Sequence, residues 1–145
     1  MNSEPYFRSP REWVKKVVEH LELKLGITIE STYKRVATEL PDTQISYLVG
    51  EIEPSNSHSN DGRPKHTIEL RFLIEVPTSI EDFDLEAADA STRVERELTD
   101  EYFGVDSDLE SVDLISNLPS RFSPELGVFA RTVTLKQTIR MGPIE

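Results

Sequence analysis

Three histidines, His20, His58 and His66, are the side chains most able to bind a metal or move a proton near neutral pH. His58 and His66 have seven residues between them, a separation outside the short-spaced ligand pairs of zinc sites. The sequence has no cysteine, which excludes thiolate metal sites, disulfides and cysteine nucleophiles. A nucleophilic serine would sit in a G-x-S-x-G turn, and phosphate cradles read G-x-x-x-x-G-K-[ST] or G-x-G-x-x-G; none of these strings occurs. Carboxylate pairs are abundant, but in acid-rich sequence their spacing carries no information. The residues therefore predict no catalytic site, no metal and no cofactor.

Charge is informative through its placement. The net charge is −11. Between Glu81 and Asp113 thirteen acids face only Arg93 and Arg96, so this one segment carries the whole excess. The remainder is balanced, with Lys15, Lys16, Lys34, Arg35, Arg63 and Lys65 scattered along it. An acidic element does not grip nucleic-acid phosphates. It serves as a solvated face, a surface that repels DNA, or one that meets a basic partner.

The elements that would position these residues follow from periodicity. Ser9-Pro10-Arg11-Glu12 reads as a helix start with a capping box. Trp13, Val14, Val17, Val18, Leu21 and Leu25 recur at helical spacing, and Gly26 is a stop. ITIESTYKRVA predicts a strand with Ile27, Ile29 and Tyr33 on one side. QISYLVGEIE predicts another, with a bulge at Gly50. Ile68, Leu70, Phe72, Ile74 and Val76 alternate with Thr67, Glu69, Arg71, Leu73 and Glu75, a strand apolar on one face and charged on the other. Glu69, Arg71 and Glu75 there read as cross-strand charge pairing. A second helix starts at Asp82 or Asp84, shows Leu85, Ala88, Val94, Leu98 and Tyr102 as its stripe, and stops at Gly104. LESVDLISNL and GVFARTVTLKQTIRM predict two closing strands.

Two polar, proline-containing stretches, 54–66 and 118–127, read as long loops. A hairpin closes with two residues, and structureless loops of this length are mostly functional or disordered. The expectation is a single α+β domain over 1–145: a mostly antiparallel sheet flanked by two α-helices, with long hairpin loops and an N-terminal lead at 1–9. Tyr6 and Phe7 in that lead could staple it onto the first helix or a neighbour. No apolar run approaches the ~20 residues of a membrane span.

This order of elements resembles the tail terminator (tail completion) proteins of long-tailed bacteriophages. The carriers are ELPDTQISYLVGEIEP, KHTIELRFLIEVP, the acidic helix DLEAADASTRVERELTDE and the long last strand GVFARTVTLKQTIRM, together spanning about Pro10 to Met141. The resemblance implies a structural virion protein, assembled in the host cytoplasm, that forms a hexameric ring. The ring caps the head-proximal end of the tail tube, stops tube polymerisation and provides the interface for head–tail joining. Its implied partners are further copies of itself, the tail tube protein and a head–tail connector or stopper protein. DNA would pass through without specific binding, and no catalytic residue or membrane is involved.

On that picture the two loops would hold the oligomer and partner interface, at Ser55, Asn56, His58, Asp61, Arg63, Lys65, Arg121 and Phe122. Asp89, Glu97 and Asp100 would form an acidic DNA-repelling face. Two other readings compete. One is a different ring protein of the virion, either a connector/stopper or a tail-tube subunit, the latter expected to polymerise into long tubes. The other is a small-molecule-binding α+β domain of a host cell, expected to show ligand-dependent thermal stabilisation.

Overall fold

The computed structural model describes residues 7–34, 40, 42–58, 64–103 and 111–141, with the backbone alone at 55–58 and 64. Helix α1 spans Pro10–Leu25. Pro10 occupies the first turn, where its missing N–H costs nothing. Gly26 ends the helix at φ 68°, and its N–H donates to the Glu22 carbonyl at 2.9 Å. The buried stripe is Trp13, Val14, Val17, Val18 and Leu21, as the spacing predicts. The expected capping box, which needs Ser9 Oγ on the Glu12 N–H and the Glu12 carboxylate on the Ser9 N–H, does not form. Ser9 makes no side-chain cap bond, while Glu12 Oε1 accepts the Arg8 N–H at 3.1 Å.

Strand β1 is just Glu30–Ser31, followed by a 3-10 turn at Thr32–Lys34. The turn ends the extended run, so the expected shared face does not form. Ile29 is buried, but Ile27 is exposed and Tyr33 is 84% exposed. Strands β2 (Gln44–His58) and β3 (Pro64–Pro77), helix α2 (Phe83–Leu98), and strands β4 (Asp113–Ser123) and β5 (Val128–Arg140) complete the chain. The sheet order is β1-β2-β3-β5-β4, antiparallel throughout except for the short parallel β1–β2 pair. The class is α+β.

Both sequence-predicted loops need correction. Residues 54–58 and 64–66 belong to the β2 and β3 strands, which pair at Pro54–His66 and again at His58–Pro64. Likewise 118–123 continue β4, and 124–127 form a four-residue turn into β5. Residues 59–63 lie outside the described residues, and polar composition misled elsewhere because these segments are an edge strand and the arms of a hairpin. Their ladders satisfy the backbone without an apolar face.

The centre of the sheet matches its pattern. Ile68, Leu70, Phe72, Ile74 and Val76 are each fully buried beneath the helices. Burying side chains of this size contributes about 1.5–3 kcal/mol apiece. The opposite face of β3 is less uniform than expected. Arg71 pairs with Glu69 along the strand at 2.9 Å, whereas Glu75 is 2% exposed and not part of a solvated charged face.

Helix α2 buries Ala87, Ala90, Ser91, Val94 and Leu98, a stripe rotated from the expected one. Leu85 is 60% exposed and Tyr102 44%. Asp82 stands at the N-cap with φ 54° but gives no side-chain cap bond. Helical residues end at Leu98; the expected stop, Gly104, lies outside the described residues.

Side-chain hydrogen bonds fix the helices to the sheet and to each other. Trp13 Nε1–H donates to Gln137 Oε1 at 2.7 Å, and Gln137 Nε2 donates to the Tyr102 carbonyl at 2.8 Å. Asn117 on β4 donates through Nδ2 to Ser91 Oγ and Glu95 Oε2 on α2, while its Oδ1 accepts from Arg131 Nε at 2.9 Å. His20 Nε2 lies 2.8 Å from the Glu97 carbonyl and its ring meets Phe103 edge-on. The histidine thus ties α1 to the end of α2. Phe7 seals the other end: it is buried, its N–H donates to the Arg140 carbonyl at 2.9 Å, and Lys16 Nζ sits 5.9 Å from its ring centroid. Tyr6 lies outside the described residues. No helix among the described residues is long and apolar enough to cross a membrane.

Candidate functional site

Strand β4 is an edge strand eleven residues long. It exposes Ile115, Leu118 and Phe122, and the turn after it exposes Leu126. Leu118 and Phe122 are 59% and 58% exposed, unusual for large apolar side chains on one strand. Two register shifts, between Leu114 and Ser116 and between Pro119 and Arg121, twist the strand. Pro119 also removes a ladder donor. Together these features blunt the edge against indiscriminate pairing and leave exposed apolar side chains on both faces of the strand, Leu118 opposite Thr132 and Phe122 opposite Phe129, as its main adhesive feature. Phe122 is held in place by Phe83 and Phe129, whose ring centroids lie 6.0 and 6.3 Å away.

The opposite flank of the sheet is also open. Among the described residues, β1 covers β2 only at Ser46 and Tyr47. Beyond that point Val49 and Ile52 are 38% and 42% exposed. The expected bulge is present as a register shift between Val49 and Ile52. Gly50 makes room there for the Glu69 side chain, whose Oε2 accepts from Glu51 N–H at 3.3 Å and Arg71 Nε at 3.0 Å.

A groove lies beside this flank, between the start of α1 and β2. It has a volume of about 410 Å³ and is lined by Pro10, Arg11, Val14, Lys15, Lys34, Tyr47 and Val49. Its floor is apolar and aromatic; its rim holds three cations and no acid. Arg11, Lys15 and Lys34 are all exposed, and none forms an ion pair among the described residues. Their long stems let the charged ends stay in water while the groove keeps an apolar lining. Sequence reading missed this site. Arg11 and Lys15 are one helical turn apart, a usable signal. Lys34 joins them only because the 3-10 turn folds beside β2.

The sequence-predicted interface residues do not form one cluster. Ser55, Asn56 and His58 lie on β2 with only their backbone described, and Asp61 and Arg63 lie outside the described residues. Lys65 is half-buried on β3 opposite Arg140 of β5. Arg121 and Phe122 sit at the far edge, on β4, with Arg121 Nε donating to Ser123 Oγ at 3.0 Å. Ser55, Asn56 and His58 on β2 and Arg121 and Phe122 on β4 therefore sit toward opposite flanks of the sheet, with Lys65 on the central strand between them. Of the acidic trio, Asp89 is exposed on α2, Glu97 is half-buried near its end, and Asp100 lies beyond the helix at φ 63°. No group of three or more metal-binding side chains occurs among the described residues. No protein-family model and no curated protein matches the chain.

Proposed function

We propose that this protein is a structural ring subunit of a bacteriophage virion, a tail terminator that caps the head-proximal end of the tail tube. The resemblance in element order supplies the biological setting, and the apolar edge of β4 carries the structural side of the argument. Isolated exposed apolar residues mean little, but this edge strand exposes Leu118 on one face of the sheet and Phe122 on the other, which makes the edge an interaction surface. Its counterpart is the open flank of β2. Three antiparallel steps separate β2 from β4, so β4 runs opposite to β2. Copies repeated head-to-tail along the sheet, all with strands pointing the same way, would set β4 of one against β2 of the next in antiparallel sense. Such heterologous contacts close into a ring when the rotation per copy allows it. In that ring the tube protein meets one rim and the connector the other, with DNA passing through the centre.

The test is a capping assay. Purified protein is mixed with tail tubes polymerising in vitro, and tube lengths and end structures are read by negative-stain microscopy. Rings on one tube end with arrested growth are expected. Unchanged tube growth with no end density overturns the terminator reading; self-polymerisation into long tubes replaces it with a tube-subunit reading.

A further inference from the structure

The chain carries a cationic groove with an apolar floor on one flank and an acidic helix with an exposed apolar residue on the other. We infer that the groove between α1 and β2 receives the start of helix α2 from a second copy of this chain. The inference deepens the head-to-tail reading above and rests on it. Leu85 stands 60% exposed in the first turns of α2, with exposed Asp84 and Asp89 close by in sequence. The groove offers the complement: Val14, Tyr47 and Val49 as floor, and the Arg11, Lys15 and Lys34 side chains as rim. A leucine enters the floor while its carboxylate neighbours meet the cations, the anatomy of an apolar anchor inside a charged rim.

Geometry decides that the occupant is a second copy. The start of α2 lies over the β5–β4 side, where Phe83 stacks on Phe122 and meets Phe129 at a tilt. The groove lies over β2. The two are on opposite flanks, so one chain cannot join them within itself. They can meet only between copies, and in the same direction as the β4-to-β2 contact. The arrangement also assigns work to the uneven charge: the acidic segment of each copy would be neutralised in part by cations of the next. Charge complementarity of this kind fixes register and speeds encounter.

Charge-swapped variants test it. R11E/K15E makes the groove acidic, and D84K/D89K makes the helix start basic; all four residues are exposed, and thermal melts establish that each variant is folded. Each variant alone would set like charge against like and is expected to stay monomeric where the natural protein assembles. Mixed one to one, the two should co-assemble, because acidic helix meets basic groove at one contact and basic helix meets acidic groove at the next. Native mass spectrometry should then show equal numbers of both. A salt series on the natural protein is the second measurement, with assembly expected to weaken as the Debye length falls from about 10 Å at 0.1 M to 3 Å at 1 M. Assembly unaffected by either double substitution overturns this dock and leaves the ring reading intact. A natural protein that is monomeric at every concentration and also fails to cap tubes overturns both.

Discussion

The indole N–H of Trp13 and the side-chain carbonyl of Gln137 meet at 2.7 Å inside the core, with both residues fully or almost fully buried. Gln137 passes the connection on to the Tyr102 carbonyl, so one amide ties α1, β5 and the end of the α2 segment together. Q137L leaves a buried indole donor unpaired and should cost about 1–3 kcal/mol, read from urea unfolding followed by Trp13 fluorescence. Q137E keeps the acceptor for Trp13 but places a carboxylate in the core. Burial raises that carboxyl's pKa above its unfolded value of about 4.3. Relative to the natural protein, the variant should then lose stability as pH rises above about 4, the slope following the extra proton held by the folded state. A stability difference from the natural protein that does not change with pH would show that the site is solvated.

Asn117 is the second clasp. Its amide joins Ser91 and Glu95 of α2 to Arg131 of β5, and its backbone carbonyl accepts from Arg131 Nη2 at 3.0 Å. N117A should lose about 1–2 kcal/mol. Because R131A removes part of the same network, the double variant should lose less than the sum of the two. Strict additivity in the denaturation cycle would mean that the contacts act independently.

Gly50 has no room for a side chain. A Cβ there would overlap the Glu69 carboxylate. In G50A that carboxylate has to swing away from Arg71 and the Glu51 N–H, at a cost of about 1 kcal/mol. Removing the obstacle in G50A/E69A should recover most of the difference between G50A and its parent, as measured by thermal melting. A still less stable double variant would place the strain in the backbone instead.

The exposed edge predicts a separation of folding from assembly. Leu118 is 59% exposed and lies on β4 opposite Thr132. L118K should leave the stability of the single chain within about 0.5 kcal/mol. In sedimentation velocity the same variant should show loss of the oligomer. Retention of full assembly would remove β4 as a contact.

Sequence legibility followed burial. The alternation at Ile68–Val76 and the α1 stripe were readable because apolar side chains there have a single role, to fill the core under the helices. The α2 stripe was misphased because Leu85 outranks Ala87 in hydrophobicity, while the buried Ser91 counts as polar. Its burial is made possible by hydrogen bonds to Ala88 O and Asn117, which no periodicity reveals. The strand ends at 54–58 and 64–66 read as a loop because their ladder bonds are backbone bonds, silent in composition. The cationic groove was illegible for another reason: it joins residues of α1, a 3-10 turn and β2 that only the tertiary fold brings side by side.

The 124-position separation of Trp13 and Gln137 has a consequence for biosynthesis. A ribosome releases the chain at about 5–20 residues per second. The apolar stripe of α1 therefore emerges long before its partner on β5, and Phe7 waits even longer for Arg140. During that interval the first helix has no finished seat, and its tryptophan is available to chaperones or to neighbouring nascent chains. The core contacts between α1 and β5 can therefore form only after β5 has left the exit tunnel.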